Sequence, residues 1–274
     1  MKALLVALLL TFSAHAAAAV IDSVQLPAWL ERGSTRVPLA PGMELRPGDR
    51  IVSGGNARVA LKLSEGSIVK LGENGTLRIV ELQPGRELFR AGLHILQGAF
   101  RFTTEALARD KKRDVRVRVS QVTIGVRGTD FWGRSRDERE IVCLIEGAIE
   151  VGAGGEQAVQ LDKPLQFYQR DKGQSRPVAF VQADQLAQWA QETELQAGKV
   201  ALRAGGRFSV ELAAADNQAQ ALALQDRARA AGYPAEISED NTVRIRHLAS
   251  RADAEALASQ LKGQFGAAEP IVRP

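Results

Sequence analysis

Cysteine is almost absent: the 274 residues hold one, Cys143. A lone cysteine builds no disulfide framework and leaves no second thiol for a paired metal or redox motif. Its setting, IVCLIEG, reads as a buried thiol, since free cysteine is among the most buried residue types. Histidine is scarce as well, with three in the chain, none paired at a metal-ligand spacing. No zinc site, other metal or cofactor is therefore expected. His94 lies in the apolar run GLHILQG, which marks a core or edge histidine rather than a general base. Glycan cleavage needs only carboxylates, but no acid in the first half stands apart from ordinary turn residues. The sequence thus offers no catalytic residue, and the expectation is a protein that is not an enzyme.

Charge of one sign is also missing. Thirty-six Lys and Arg are set among 32 Asp and Glu, for a net charge of +4. Without a basic concentration there is no nucleic-acid footprint. Aromatics make up only 5% of the chain. The one long apolar stretch is at the start, MKALLVALLLTFSAHAAAAV, where Lys2 precedes an apolar run ending in Ala14, His15 and Ala16. It is shorter than the roughly 20 residues that span a bilayer and has the three regions of a secretory signal. Residues 1–16 are read as that signal. Cys143 lies far from it, so no lipid-modified cysteine is expected there. No transmembrane segment is expected after its removal, and the location expected is the periplasm.

What is present is alternation. ARVALKL places Val59, Leu61 and Leu63 on one face, and DVRVRVS does the same with Val115, Val117 and Val119. Turn signals such as RPGD, SGGN, SEGS and QPGR separate the bursts. Many short strands predict an all-β domain over residues 17–155, a sandwich, barrel or solenoid. Residues 156–199 then hold a strand, LQFYQR, and an amphipathic helix, ADQLAQWAQETELQ. Its stripe is Leu186, Trp189, Ala190 and Thr193, with Asp184 as a cap. This helix either packs back on the β domain or meets a partner.

From residue 200 to 274 the order is β-α-β-β-α-β, the split βαβ pattern with both helices on one side of an antiparallel sheet. Ser250 with Asp253 opens the second helix. Alternation points Val210, Leu212, Val243 and Ile245 toward the helices and turns Ser209, Glu211, Ala213, Thr242, Arg244 and Arg246 outward. That face is either a solvated surface or a shallow site for a glycan. No aromatic side chain lies on it for stacking bases, which excludes the RNA-binding version of the fold.

One crowded stretch remains, VTIGVRGTDFWGR. Strand-forming residues flank its glycines, so it does not open a helix as a phosphate loop would. Gly125 and Gly128 are read as a bulge or bend, pinned by bonds of Arg127, Thr129 and Asp130 to one another or to nearby backbone.

The same stretch resembles the hallmark of the FecR family. GMELRPGDRIVSGGNARVALKLSEGSIVKLGENGTLRI before it and VCLIEGAIEVG after it are similar to that family's turns and closing strand, in order. The resemblance implies an all-β domain like the periplasmic half of regulators of iron-uptake sigma factors. The chain departs from those regulators in showing no anti-sigma segment and no membrane span. RFSVELAAA and TVRIRHLASRADAEALASQL resemble a SPOR domain, with Glu211 at a position of glutamine, Ala214 of serine, and Arg246 and His247 of glycine and proline. This second resemblance implies peptidoglycan glycan strands stripped of stem peptides as partner, and a place at division septa. The residues then expected to contact glycan are Ser209, Glu211, Thr242, Arg244 and Arg246. An envelope protein partner for the β domain is the alternative, and a cell-wall hydrolase, the kind of enzyme to which SPOR domains are often attached, is a third.

Overall fold

The protein is described by a computed structural model over residues 17–85, 87–104, 112–126, 128–265 and 270–274. The expected signal, residues 1–16, and Arg127 of the crowded stretch lie outside the described residues.

The strands begin with β1 (Ala19–Gln25), β2 (Ala28–Arg32), β3 (Thr35–Pro38), β4 (Arg50–Ser53), β5 (Arg58–Leu63), β6 (Ser67–Leu71) and β7 (Thr76–Gln83), followed by the long β8 (Phe89–Thr104). Next come β9 (Arg113–Val119), β10 (Val122–Val126), β11 (Asp130–Arg136), β12 (Arg139–Glu146), β13 (Ile149–Ala153), β14 (Val159–Leu161), β15 (Gln166–Asp171), β16 (Gln174–Ser175) and β17 (Ala179–Phe180). They form two sheets. Sheet I runs β17, β15, β12, β11, β8, β6, β5, β1. Sheet II runs β3, β2, β4, β7, β8, β9, β10, β13, β14, with the β8 and β9 pair parallel.

β8 belongs to both sheets and bends at Gly98. There φ is +95°, and a Cβ would lie 2.6 Å from the Cα of Gly75, so only glycine lets the strand turn from one sheet to the other. Between the sheets lies one apolar core. Val59, Leu61, Leu63, Val115, Val117 and Val119 are all at most 1% exposed, as their alternation predicts. Phe102 and Phe131 stack within the core, centroids 5.4 Å apart.

The amphipathic helix is α1 (Ala183–Gln191), and it packs back on sheet I: Leu186 and Trp189 join a cluster with Trp132, Ile141 and Cys143. Its cap is not Asp184. Gln182 holds that place with no side-chain bond, and Asp184 sits in the first turn, where its charge favours the helix N-terminus.

The last part adds β18 (Ala201–Arg203), β19 (Phe208–Ala214), α2 (Gln218–Ala230), β20 (Ala235–Ile237), β21 (Thr242–Leu248), α3 (Arg251–Leu261) and β22 (Ile271–Arg273). From β19 onward this is the β-α-β-β-α-β order read from the sequence, with strands hydrogen-bonded as β20, β21, β19, β22, all antiparallel. Asn217 caps α2 and Ser250 caps α3, each side-chain oxygen accepting from a backbone N–H three residues on. Sheet I reaches this unit through β18, which pairs with β1 and bridges from Leu202 to Leu248 of β21. The seam is tight. A Cβ on Gly232 would lie 2.7 Å from the indole of Trp29, and Asp253 Oδ1 accepts the Ala201 N–H at 3.0 Å.

Candidate functional site

The helices α2 and α3 cover one face of the sheet formed by β20, β21, β19 and β22, and the other face is open. Across it, Glu236, Arg244, Glu211 and Ile271 stand in register on the four strands. Arg273 Nε donates to Glu211 Oε2 at 3.0 Å. Arg246 lies 3.8 Å from Glu236, and Arg244 3.7 Å from Asp240. Each of the three cations therefore has an anion within the same face. The surface is rich in hydrogen-bonding groups yet locally balanced in charge.

The strands bring together Ser209, Glu211, Arg244 and Arg246. Glu211 and Arg244 are direct cross-strand partners. Ser209 lies opposite a bulge in which two residues, Arg246 and His247, face one, and His247 adopts φ +66° there. Arg246 and Arg273 are more than half exposed and form a rim around the more enclosed Glu211 and Arg244.

Two positions differ from the alternation. A second register shift at Leu212 sets Ala213 opposite the buried Val243, so Ala213 packs against the core instead of facing out. Thr242 is only 8% exposed, and its hydroxyl donates to Asp240 Oδ2 at 3.0 Å. A simple period of two misplaces Ala213 because it assumes an unbroken register, whereas Thr242 is covered where its hydroxyl and backbone N–H bond Asp240. Bonds from Ser238 and Thr242 hold the Asp240 carboxyl down at about 2, so it remains an anion beside Arg244. Asp240, Glu236, Ile271 and Arg273 are the residues of this face that sequence reasoning missed; the alternation of AEISE and of EPIVR was the available signal for all but Asp240.

The crowded stretch turns out to be a passage between sheets. β10 lies in sheet II and β11 in sheet I, and Gly128, at φ +61°, makes the turn between them. Gly125 is not at the bend. It sits within β10, paired with Arg116 and Glu150. Nor do Thr129 and Asp130 bond one another. Asp130 is gripped by Arg101 of β8, Nε to Oδ1 at 2.9 Å and Nη2 to Oδ2 at 2.7 Å, and accepts from Thr103 at 3.2 Å. The Thr129 carbonyl accepts from Thr104 N–H at 3.0 Å. The bend is pinned to β8, a strand remote in sequence.

Nucleophile chemistry has little to work with in these surroundings. Burial pushes the Cys143 thiol up to about 12. Burial also lowers His94, with Arg118 and Arg78 adding to the effect, while the Ser120 carbonyl opposes it. Among the described residues no three His, Cys, Asp or Glu side chains converge as a metal would require.

Two family models match this chain. Residues 49–150 match the FecR protein model, from the turn before β4 into β13, and residues 204–274 match the SPOR domain model, which takes in the whole β-α-β-β-α-β unit. No curated protein matches. Among solved structures, two crystal structures of a candidate anti-sigma factor from Parabacteroides distasonis are 16% identical, with a TM-score of 0.43. In each, 78% of this chain and 90% of that chain are covered.

The SPOR match gives the departures noted in the sequence a place in space. Glu211, at a position of glutamine, is held by Arg273. Arg246 and His247, at positions of glycine and proline, form the bulge opposite Ser209, and the positive φ of His247 is one that proline cannot adopt.

Proposed function

We propose that the protein is an exported, non-enzymatic component of the cell envelope that binds peptidoglycan glycan strands on the open face of its SPOR domain. The supporting observation is the internal pairing of charge on that face. Sugar hydroxyl and acetamido groups find donors and acceptors in Ser209, Glu211, Arg244 and Arg246, and no excess charge demands a polyanion. Thr242 contributes indirectly, by holding Asp240 beside Arg244. An open site of this kind fits micromolar binding, roughly 8 kcal/mol. In this reading residues 1–16 are the export signal, 17–155 the β domain, 156–199 the connecting strand and helix, and 200–274 the wall-binding module. The protein resides in the periplasm, and the module carries the FecR-like domain to the wall or the septum.

The test is co-sedimentation of the mature protein with purified sacculi, before and after an amidase removes the stem peptides. Binding that rises on stripping, and is lost in Glu211→Ala with Arg244→Ala, is the expected result. Unchanged sedimentation of that variant would remove the assignment.

The FecR match favours a second reading, in which the β domain is the interaction or sensing part of an envelope signalling assembly. Capture of a specific envelope protein that survives loss of wall binding would support it. A hydrolase reading has less support, because both matched families are non-catalytic. Released muropeptides from sacculi incubated with the pure protein would revive it.

A further inference from the structure

The outer face of sheet II carries an arrangement that neither family assignment uses. Pairing in register sets Arg50 of β4 opposite Arg78 of β7, Arg78 opposite His94 of β8, and His94 opposite Arg118 of β9. Neighbouring strands lie about 4.8 Å apart, so these groups form a straight basic row across four strands. Like charges directly opposite one another destabilise a sheet. Arg50 shares Glu31 at 3.7 Å, but Arg78 has no acid partner among the described residues, and Arg118 bonds only the Ser120 carbonyl and the Gln121 amide. The fold thus bears a repulsion that an anion would relieve, and such violations of local rules mark sites of function.

The row continues at Thr123 of β10 into an open groove of about 1030 Å³ over β9, β10, β13 and β14. Its floor lacks a side chain where Gly125 stands, while Arg116, Glu150 and Gln160 line it; Gly152 beside it is covered by Ala158, which a Cβ there would meet at 3.1 Å. Nothing lies within 4 Å of where a Cβ on Gly125 would be. A flat polar floor without side chains admits a sugar ring close to the backbone. Glu150 in the groove accepts hydrogen bonds from sugar hydroxyls and repels a polymer charged at every unit.

We propose that this face binds a carboxylate-bearing polysaccharide chain, with its acid groups on Arg50, Arg78 and Arg118 and a sugar ring over Gly125. The arginine forks suit carboxylates, which they meet bidentately. Sparse charge combined with hydroxyls is the chemistry that a basic row leading into a polar groove selects.

The test uses the full mature chain and, as probe, hyaluronan oligosaccharides, in which every second sugar carries a carboxylate, followed by calorimetry at low and at raised salt. Saturable binding that weakens with salt is expected. Arg78→Ala with Arg118→Ala should weaken it by at least about tenfold. Gly125→Leu, which fills the groove without strain, should do likewise at unchanged melting temperature. Glu211→Ala with Arg244→Ala should leave it intact, so this site and the SPOR face fail or stand separately. Absence of hyaluronan binding would overturn the proposal. So would equal binding of neutral dextran, tighter binding of polyphosphate or anionic vesicles, or indifference to both sheet II variants.

Discussion

Trp189 of α1 stacks on Trp132 of β11, ring centroids 5.1 Å apart and planes 18° from parallel, and Phe167 meets Trp189 edge-on at 6.4 Å. This contact decides the fate of the amphipathic helix. Its apolar stripe is spent on sheet I, and its C-terminal exit delivers Glu192 to Arg134 at 2.8 Å and Glu194 to Arg101 at 3.1 Å. Trp189→Ala should therefore do more than free a helix. Losing a stacked, partly buried indole is expected to cost about 3 kcal/mol. Urea unfolding followed by far-UV circular dichroism would show the midpoint shift. A cost within about 0.5 kcal/mol would mean that α1 is only loosely attached.

The crowded stretch makes a second prediction by contrast between two of its residues. Asp130 is 13% exposed in its side chain and takes both forks of Arg101. Asp130→Ala leaves that guanidinium half-served and should cost about 2 kcal/mol, between an exposed and a fully buried pair. Gly125→Ala, whose new methyl meets nothing within 4 Å, should change stability by less than about 0.5 kcal/mol. Equal effects would contradict the assignment of the bend to the β10 and β11 junction.

These two residues also mark how far the sequence could be read. The alternation around Val59 and Val115 was legible because one face of each strand is buried and period two follows from burial alone. The C-terminal element order was legible for the same reason, helped by the Ser250 cap. The grip of Arg101 on Asp130 was not, since the partners are 29 residues apart and only the sheet crossing brings them together. Ala213 was misread because the register shift at Leu212 arises from pairing between strands and leaves no trace in the local pattern, and Thr242 because its bonds to Asp240 belong to the turn before the strand. The basic row on sheet II was hidden likewise: its members come from four strands, and no segment of the chain is basic enough to reveal it.

Cys143 is fully buried, with its thiol raised to about 12 by desolvation. The thiolate is the reactive form, so a thiol reagent at mildly alkaline pH should label the folded protein negligibly and the urea-unfolded protein fully. Rapid labelling under native conditions would show that the cluster under α1 opens readily, and Trp189→Ala should then accelerate it.

His94 gives the pH dependence. Its Nε2 lies 3.3 Å from the Ser120 carbonyl, and in register it stands between Arg78 and Arg118. Burial is the largest influence lowering its pKa below 6.5, and the two arginines act in the same direction. In the unfolded chain the ring titrates at its ordinary value, so between the two values the unfolded state holds more protons and stability rises with pH. The contribution is fully present above about 6.5 and is lost as pH falls through the lower folded-state value. His94→Gln retains a polar side chain without the titration. Urea midpoints for the two proteins should run parallel above pH 6.5 and diverge below it, the parent falling more steeply. Curves that stay parallel throughout would show that the ring is as easily protonated folded as unfolded, and that the arginine row is too well screened by solvent to repel a charge in its midst.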